Sequence, residues 1–193
     1  MTENEFKIML TEAQYNAVHS LYSWDGELEQ VNHYYDTGDL YYSDNHITVR
    51  VRTISGKFLL QMKLPADVLP EAENSESGLS AVSRKELERE FSEIPESISG
   101  SVLSELSGIA GLPDAKLLGC LYTTRSVKRF TGGEIDLDKS EYFGKTDYEL
   151  EVEFTDEAAA RKVLSEIEGQ VTLDHGAPVT GKIRRFLLEY LKK

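Results

Sequence analysis

Glu3-Asn4-Glu5-Phe6-Lys7 sets two carboxylates and an ammonium at alternate positions, with Phe6, Ile8 and Leu10 close by. Alternate residues of an extended strand share a face, so all three charges would point the same way. Such a face suits open solvent or a polar interior that holds charged ligands. Alone, the segment reads as an exposed edge strand. The pattern, however, returns along the chain. In His46–Thr53, Thr48, Arg50 and Arg52 share one face, and Ile47, Val49 and Val51 share the other. Ser55-Gly56 turns into Phe58–Leu64, where Leu59, Gln61 and Lys63 are in phase. Ser83–Phe91 puts Arg84, Glu86, Glu88 and Glu90 together, and Leu117–Phe130 aligns Thr123, Arg125, Val127 and Arg129. Beyond Gly132-Gly133, Asp136 and Asp138 share a face. In Tyr148–Phe154, Glu149, Glu151 and Glu153 alternate with Leu150, Val152 and Phe154.

The segments between these strands carry helix and turn signals. Thr11-Glu12-Ala13-Gln14 reads as a capping box, followed by an apolar stripe of Tyr15, Val18, Leu21 and Tyr22. Trp24–Glu29 reads as a turn around Asp25-Gly26, and Val31–Thr37 as a strand ended by Gly38. Tyr41–Asn45 is expected to be a polar turn, and Pro95–Gly111 helical or helix-turn. Thr155 is expected to cap a helix with Ala159, Val163, Leu164 and Ile167 on its stripe. A last helix, Gly181–Leu191, carries Lys182, Arg184 and Arg185 near its start and Phe186, Leu187 and Leu191 on its apolar side. Residues 65–80 crowd Pro, Glu, Ser, Asn and Gly, and read as a mobile acidic loop inside one domain spanning 1–193.

Composition narrows the classes of function. The chain has 193 residues, enough for one good-sized core, and a formal net charge of −13. That balance argues against binding duplex nucleic acid or an anionic membrane. It permits a small polyanion met through metal ions, since a bound cation inverts the local charge logic. Cys120 is the only cysteine, so no internal disulfide or thiolate cluster is expected. The first ten residues are charged, and no apolar run approaches the roughly 20 residues of a membrane span. A cytoplasmic protein is expected; a homodimer is compatible with the chain, though no stripe demands one.

In an ordinary one-sided sheet the solvent face mixes its charges at random. Here they are ordered by strand: acid-acid-Lys, Arg-Arg, Lys, Glu-Glu, Arg, Asp-Asp, Glu-Glu. Strands with one charged and one apolar face can form a barrel with a polar interior and helices packed outside. Burying so many charges is tolerable only if acids share cations and bases share a phosphate-rich ligand. Mg²⁺ takes carboxylate oxygens, and Arg and Lys take phosphate oxygens. Taken alone, Arg50/Arg52 and Glu149/Glu151/Glu153 read more readily as solvated strand faces, Asp136 and Asp138 equally as turn residues, and Glu86 and Glu88 as members of surface ion pairs. Only the joint alternation points to a metal-complexed polyphosphate. His19, His33, His46 and His175 have no ligand spacing, and there is no Walker loop, GxGxxG or Ser-His-Asp order.

Glu3-x-Glu5-x-Lys7 resembles the ExExK signature of the CYTH, or triphosphate tunnel metalloenzyme, family. The resemblance continues through Tyr34-Tyr35-Asp36-Thr37, Arg50-x-Arg52, Met62-Lys63-Leu64-Pro65, Thr124-Arg125-Ser126, Asp136-x-Asp138, Glu149-x-Glu151 and Gly181-Lys182. It covers nearly the whole chain in order. It implies an α+β fold in which an eight-stranded antiparallel β-barrel forms a polar tunnel flanked by helices. Family members include thiamine triphosphatases, inorganic tripolyphosphatases, fungal RNA triphosphatases and class IV adenylyl cyclases. The length and the Tyr34–Thr37 segment look most like bacterial CYTH proteins of unassigned substrate and the thiamine triphosphatases.

By this match Glu3, Glu5, Asp136, Glu149 and Glu151 would hold one or two divalent cations, Mg²⁺ or Mn²⁺. Arg50, Arg52, Lys63, Arg125 and Lys182 would grip the phosphate chain, with Arg185 replacing or assisting Lys182. Lys7 and Tyr34 would sit near the attacking water; Glu86, Glu88, Asp138 and Glu153 are further candidates. The resemblance implies metal-dependent hydrolysis of inorganic tripolyphosphate or a small organic triphosphate such as thiamine triphosphate. It leaves open cyclisation of ATP to cyclic AMP and non-catalytic polyphosphate or nucleotide sensing.

Overall fold

The computed structural model describes residues 2–65, 79–174 and 179–193; for Thr2, Glu3 and residues 79–85 the backbone alone is described. Residues 66–78 of the expected acidic loop, and His175, lie outside the described residues.

The alternating segments all become strands: β1 (Thr2–Leu10), β2 (Gly26–Asp36), β3 (Thr48–Ile54), β4 (Lys57–Pro65) and β5 (Leu79–Phe91), then β6 (Ser97–Ile98), β7 (Ala115–Phe130), β8 (Gly133–Tyr142) and β9 (Lys145–Phe154). They pair in the order β2-β3-β4-β5-β1-β9-β8-β7-β6, and β2 pairs in addition with β7. Each of the eight longer strands thus has at least two antiparallel neighbours, β7 having a third in β6, and together they surround a tunnel. The helices are α1 (Glu12–His19), α2 (Tyr41–Asp44), α3 (Gly100–Ser107), α4 (Glu157–Glu168) and α5 (Lys182–Tyr190).

Three apolar clusters account for the packing. The outer faces of β3 and β4 bury Val49, Val51, Leu60 and Met62 with Leu103 of α3. The outer faces of β1, β8 and β9 bury Phe6, Ile8, Ile135, Leu137, Leu150 and Val152 with Val18 of α1 and Ala160 and Ile167 of α4. A third cluster joins Tyr34, Leu121 and Tyr142, which are on the inner phase of their strands, to Phe186 of α5. One end of the tunnel is therefore filled by an aromatic contact, with the Tyr34 and Phe186 ring centroids 4.9 Å apart. Elsewhere the inner positions are polar: Asn32, Arg50, Gln61, Thr123, Asp136, Asp138, Glu149 and Glu151 are all buried. Leu150 is fully buried between the acids Glu149 and Glu151 in sequence. Leu150→Ala is expected to cost about 2–5 kcal/mol in a urea unfolding experiment, since it opens a cavity in the core.

Local chemistry fixes the element ends. Thr11 Oγ1 accepts from the Gln14 N–H at 3.2 Å and Gln14 Oε1 accepts from the Thr11 N–H at 2.8 Å, completing the expected capping box. The expected turn over Trp24–Glu29 is in fact the start of β2 from Gly26, because Gly26–Gln30 pair with Thr123–Val127 of β7. Tyr41–Asn45 is not a polar turn: it forms α2, and Tyr42 is fully buried. Asp36 organises this corner. Its carboxylate accepts from the backbone N–H groups of Thr37, Tyr42 and Ser43 at 2.8, 2.9 and 3.0 Å. Pro95–Gly111 resolves into β6 and α3. Gly100 opens α3 because a side chain there would strike the Leu112 carbonyl, 1.8 Å from an ideal Cβ. The cap of α4 is Asp156, one residue beyond Thr155; its carboxylate accepts from Ala158 and Ala159 N–H groups at 3.0 and 3.2 Å.

Candidate active site

The register of three neighbouring ladders builds one wall of the tunnel. Glu149 stands opposite Asp138, Glu151 opposite Asp136, and Glu153 opposite Glu134 across the β8–β9 ladder. Like charges directly opposite are destabilising, so three facing acid pairs need cations. The next strands supply them. Lys7 of β1 is level with Glu151, and Arg125 of β7 is level with Asp138. Lys7 Nζ lies 3.0 Å from Glu5, 2.8 Å from Glu151 and 3.3 Å from Glu149. The Arg125 fork donates to both Asp138 oxygens at 2.7 Å and to Glu151 Oε2 at 2.6 Å, and also reaches Asp136. From the first turn of α5, Lys182 Nζ meets Asp138 at 2.8 Å, Glu151 at 2.9 Å and Glu149 at 3.3 Å.

The facing wall is basic. Arg50 Nε donates to Gln61 at 2.8 Å and its NH2 to Glu86 at 3.2 Å. Lys63 Nζ lies 3.2 Å from the same Glu86. Arg52 Nε donates to Asn32 Oδ1 at 3.0 Å. Between the walls lies a cavity of about 410 Å³, in the range of small-molecule sites.

Most of the expected residues meet here. Glu5, Lys7, Arg125, Glu151, Glu153 and Lys182 line one side of the cavity, and Tyr34, Arg50, Arg52, Lys63 and Glu86 the other. Asp136, Asp138 and Glu149 stand within the acid wall, at most 1 % exposed. Glu88 accepts from Gln61 Nε2 at 3.1 Å and is absent from the lining, as is Arg185. The side chain of Glu3 lies outside the described residues. Sequence reasoning missed Gln30 and Asn32, which line the cavity in phase with Tyr34, and Glu134, which faces Glu153. It also missed Asp147 and Tyr142. Both were findable by running the alternation of β9 and β8 outward by two to four residues.

The electrostatics follow from this crowding. Burial opposes the charge on Lys7, but Glu151, Glu149 and Glu5 more than offset it and hold the ammonium above the usual lysine range. Lys182 behaves alike, with burial outweighed by Glu151, Glu149 and Asp138. Burial works against the Glu151 carboxylate too, yet Lys182, Lys7 and Arg125 keep it well below the usual range. Asp136 is pushed up to about 7, chiefly by burial and then by Asp138, Glu153 and Glu151 against the pull of Arg125. Arg52 is lowered to about 10 by burial and by Arg50.

The donor set fits a hard divalent cation. Asp136 Oδ1 and Glu149 Oε1 are buried without a hydrogen-bond partner. Glu149 Oε1 stands 3.3 Å from two ammonium groups, a Coulombic contact only. Carboxylate oxygens of Glu5, Glu151 and Glu153 lie within 4.8 Å of one another, as do those of Glu134, Asp136 and Glu153.

A tunnel of strands with an acid wall facing a basic wall defines a class of protein. The family model of the CYTH domain matches residues 1–179, and the chain belongs to that family. Among its relatives is "Putative triphosphatase YjbK" of Bacillus subtilis (strain 168), 33% identical over 194 residues, with 98% of this chain and 96% of that protein covered. A crystal structure of a "putative adenylate cyclase" from Bacillus halodurans superimposes with a TM-score of 0.68 at 26% identity, covering 94% of this chain and 95% of that one. HpAC1 from Hippeastrum, a "putative adenylyl cyclase" described as having a dominant triphosphatase activity, shares the fold at a TM-score of 0.71 and 19% identity, over 96% of this chain and 95% of that one. Among the described residues no helix is long and apolar enough to cross a membrane.

Proposed function

We propose that the chain is a divalent-metal-dependent triphosphatase releasing the terminal phosphate of a small triphosphate, either inorganic tripolyphosphate or an organic one such as thiamine triphosphate. The observation that carries this reading is the pair of walls around one cavity of about 410 Å³: facing carboxylates on β8, β9 and β1, and Arg50, Arg52 and Lys63 across from them. Membership of a family with a relative named as a triphosphatase supports it.

Glu5, Glu151 and Glu153 would hold the cation together with the unpartnered Oε1 of Glu149, with Asp136 behind them and Glu3 as a further candidate. Mg²⁺ or Mn²⁺ bound there supplies Lewis-acid charge to phosphate oxygens. Arg50, Arg52 and Lys63 bind and orient the phosphate chain, Arg by two-pronged hydrogen bonds. Their fixed charges offset the charge that builds on the leaving diphosphate. Lys182 sits at the positive end of α5 and steadies the phosphate from the acid side. Lys7 is held protonated by its carboxylates, so it serves as donor to the attacking water, not as its base.

The test is a panel of tripolyphosphate, thiamine triphosphate, ATP and pyrophosphate with Mg²⁺ or Mn²⁺. Phosphate release that a chelator abolishes is expected for at least one triphosphate. Binding without release over long incubation would replace the reading with a sensor. Cyclic AMP as the sole product from ATP would replace it with a cyclase, the activity named for the Bacillus halodurans relative. Against the cyclase, Val179, Ile183 and Tyr34 are the apolar groups among the cavity's described lining, a small platform for adenine.

A further inference from the structure

Lys182 and Arg185 leave α5 one turn apart and approach Glu149 from different sides. Lys182 Nζ is 3.3 Å from Oε1, while Arg185 NH2 donates to Oε2 at 2.6 Å. The rest of the Arg185 guanidinium is also occupied. Its Nε donates to Asp147 Oδ2 at 2.8 Å, and its NH1 donates to the Thr180 carbonyl and to Met9 Sδ, the latter at 3.2 Å. All three nitrogens have protein partners, and the side chain is absent from the cavity lining. Asp147 Oδ2 accepts a second hydrogen bond from the Tyr142 hydroxyl. The Tyr142 ring is in turn buried in the aromatic cluster with Tyr34 and Phe186.

We infer that Arg185 is a positioning residue for the cation-holding carboxylate Glu149, oriented by Asp147 and Tyr142, and not a phosphate-gripping residue. The inference rests on the reading of the acid wall as a cation site. The geometry has one chemical effect. Arg185 consumes Oε2 and leaves Oε1 as the one Glu149 oxygen without a hydrogen bond. Glu149 is thereby restricted to one-oxygen ligation, in an orientation set from the packed end of the tunnel. Groups that orient a metal ligand without touching the metal typically change affinity by about 10–100-fold when removed.

The test is a calorimetric Mn²⁺ titration of the substrate-free protein, with kinetics at saturating Mn²⁺ alongside. Arg185→Gln is expected to weaken Mn²⁺ binding by about 10–100-fold, with Arg185→Lys partly restoring it. Asp147→Asn and Tyr142→Phe should weaken it in the same direction by smaller factors. At saturating Mn²⁺ the KM for tripolyphosphate should stay within about threefold of wild type, as expected of a group that acts through a metal ligand. Wild-type Mn²⁺ affinity in Arg185→Gln, or a raised KM at saturating Mn²⁺, would overturn the inference. If Arg185→Gln fails to fold, Tyr142→Phe removes a single hydroxyl, and unchanged Mn²⁺ affinity in both Tyr142→Phe and Asp147→Asn would overturn it equally. Should no triphosphate be hydrolysed at all, the proposed reaction fails while the Mn²⁺ titration still reads the relay.

Discussion

Glu151→Gln is expected to abolish phosphate release, by about 10³-fold in kcat at any Mg²⁺ concentration, and to lower Tm by roughly 10 °C. The two losses have one origin. Glu151 Oε1 holds Lys7 at 2.8 Å and Lys182 at 2.9 Å, and Oε2 holds Arg125 at 2.6 Å. Glutamine keeps the shape and removes the charge, so Lys7, Lys182 and Arg125 lose the counter-charge they share and keep only Glu5, Glu149, Asp136 and Asp138. Breaking a buried charge network in this one-sided way costs about 3–5 kcal/mol, unlike replacing all its members together. The sign with pH follows from the depressed carboxyl of Glu151. Its stabilising contribution is complete above the unfolded carboxyl pKa and is lost as pH falls through the lower folded value. The wild-type protein should therefore lose stability in acid more steeply than Glu151→Gln. Thermal melts with added tripolyphosphate supply the check. A polyanion should raise the Tm of Glu151→Gln more than that of wild type, because it restores counter-charge to Lys7, Lys182 and Arg125.

Arg52→Met is expected to act in opposite directions on stability and on activity. Arg52 is half-buried beside Arg50 and hydrogen-bonded to the neutral amide of Asn32, and desolvation with the Arg50 charge lowers it to about 10. An arginine under that pressure costs the empty protein stability in full below about pH 10, and the cost falls away only as pH climbs from there towards the ordinary arginine value. Methionine retains the apolar stem and removes the charge. The substrate-free Tm should rise by about 2–4 °C, the scale of 1 kcal/mol in a domain of this size. In contrast kcat/KM for tripolyphosphate should fall about 10²-fold, mostly through KM, because a charge-assisted contact worth about 2–3 kcal/mol is lost. A lowered Tm together with an unchanged KM would show that Arg52 is structural. The same variant gives the contrasting pattern for Arg185, whose removal should touch metal affinity first.

The tunnel could be read from the chain because its strands separate two kinds of burial by phase. In β9, Leu150 and Val152 go to the packed helices while Glu149 and Glu151 go inward, and both sets end up buried. An alternation of that kind survives in any single strand, so β1, β3, β4, β7, β8 and β9 were all legible. The start of β2 was not, because its pairing with Thr123–Val127 is information held by a distant strand. The site was legible as a list of charges and illegible as a set of roles. Arg125 and Arg185 look alike in sequence, yet Arg125 borders the cavity and Arg185 is spent on Glu149 and Asp147. That difference is set by which side of α5 meets β9, and no local pattern encodes it. Asp36, carried along with the Tyr34–Thr37 match, turned out to cap α2.

The strand order also has a bearing on how the chain is made. β1 precedes both its partners, so one of its edges stays unpaired until β5 is made and the other until β9. The acids of β8 and β9 emerge before Lys182 and Arg185 of α5, and until those arrive the nascent wall is offset by Lys7 and Arg125 alone. Long-range pairing of this sort slows folding. Co-translational assembly should stall at an incomplete cylinder until α5 delivers both its cations and Phe186.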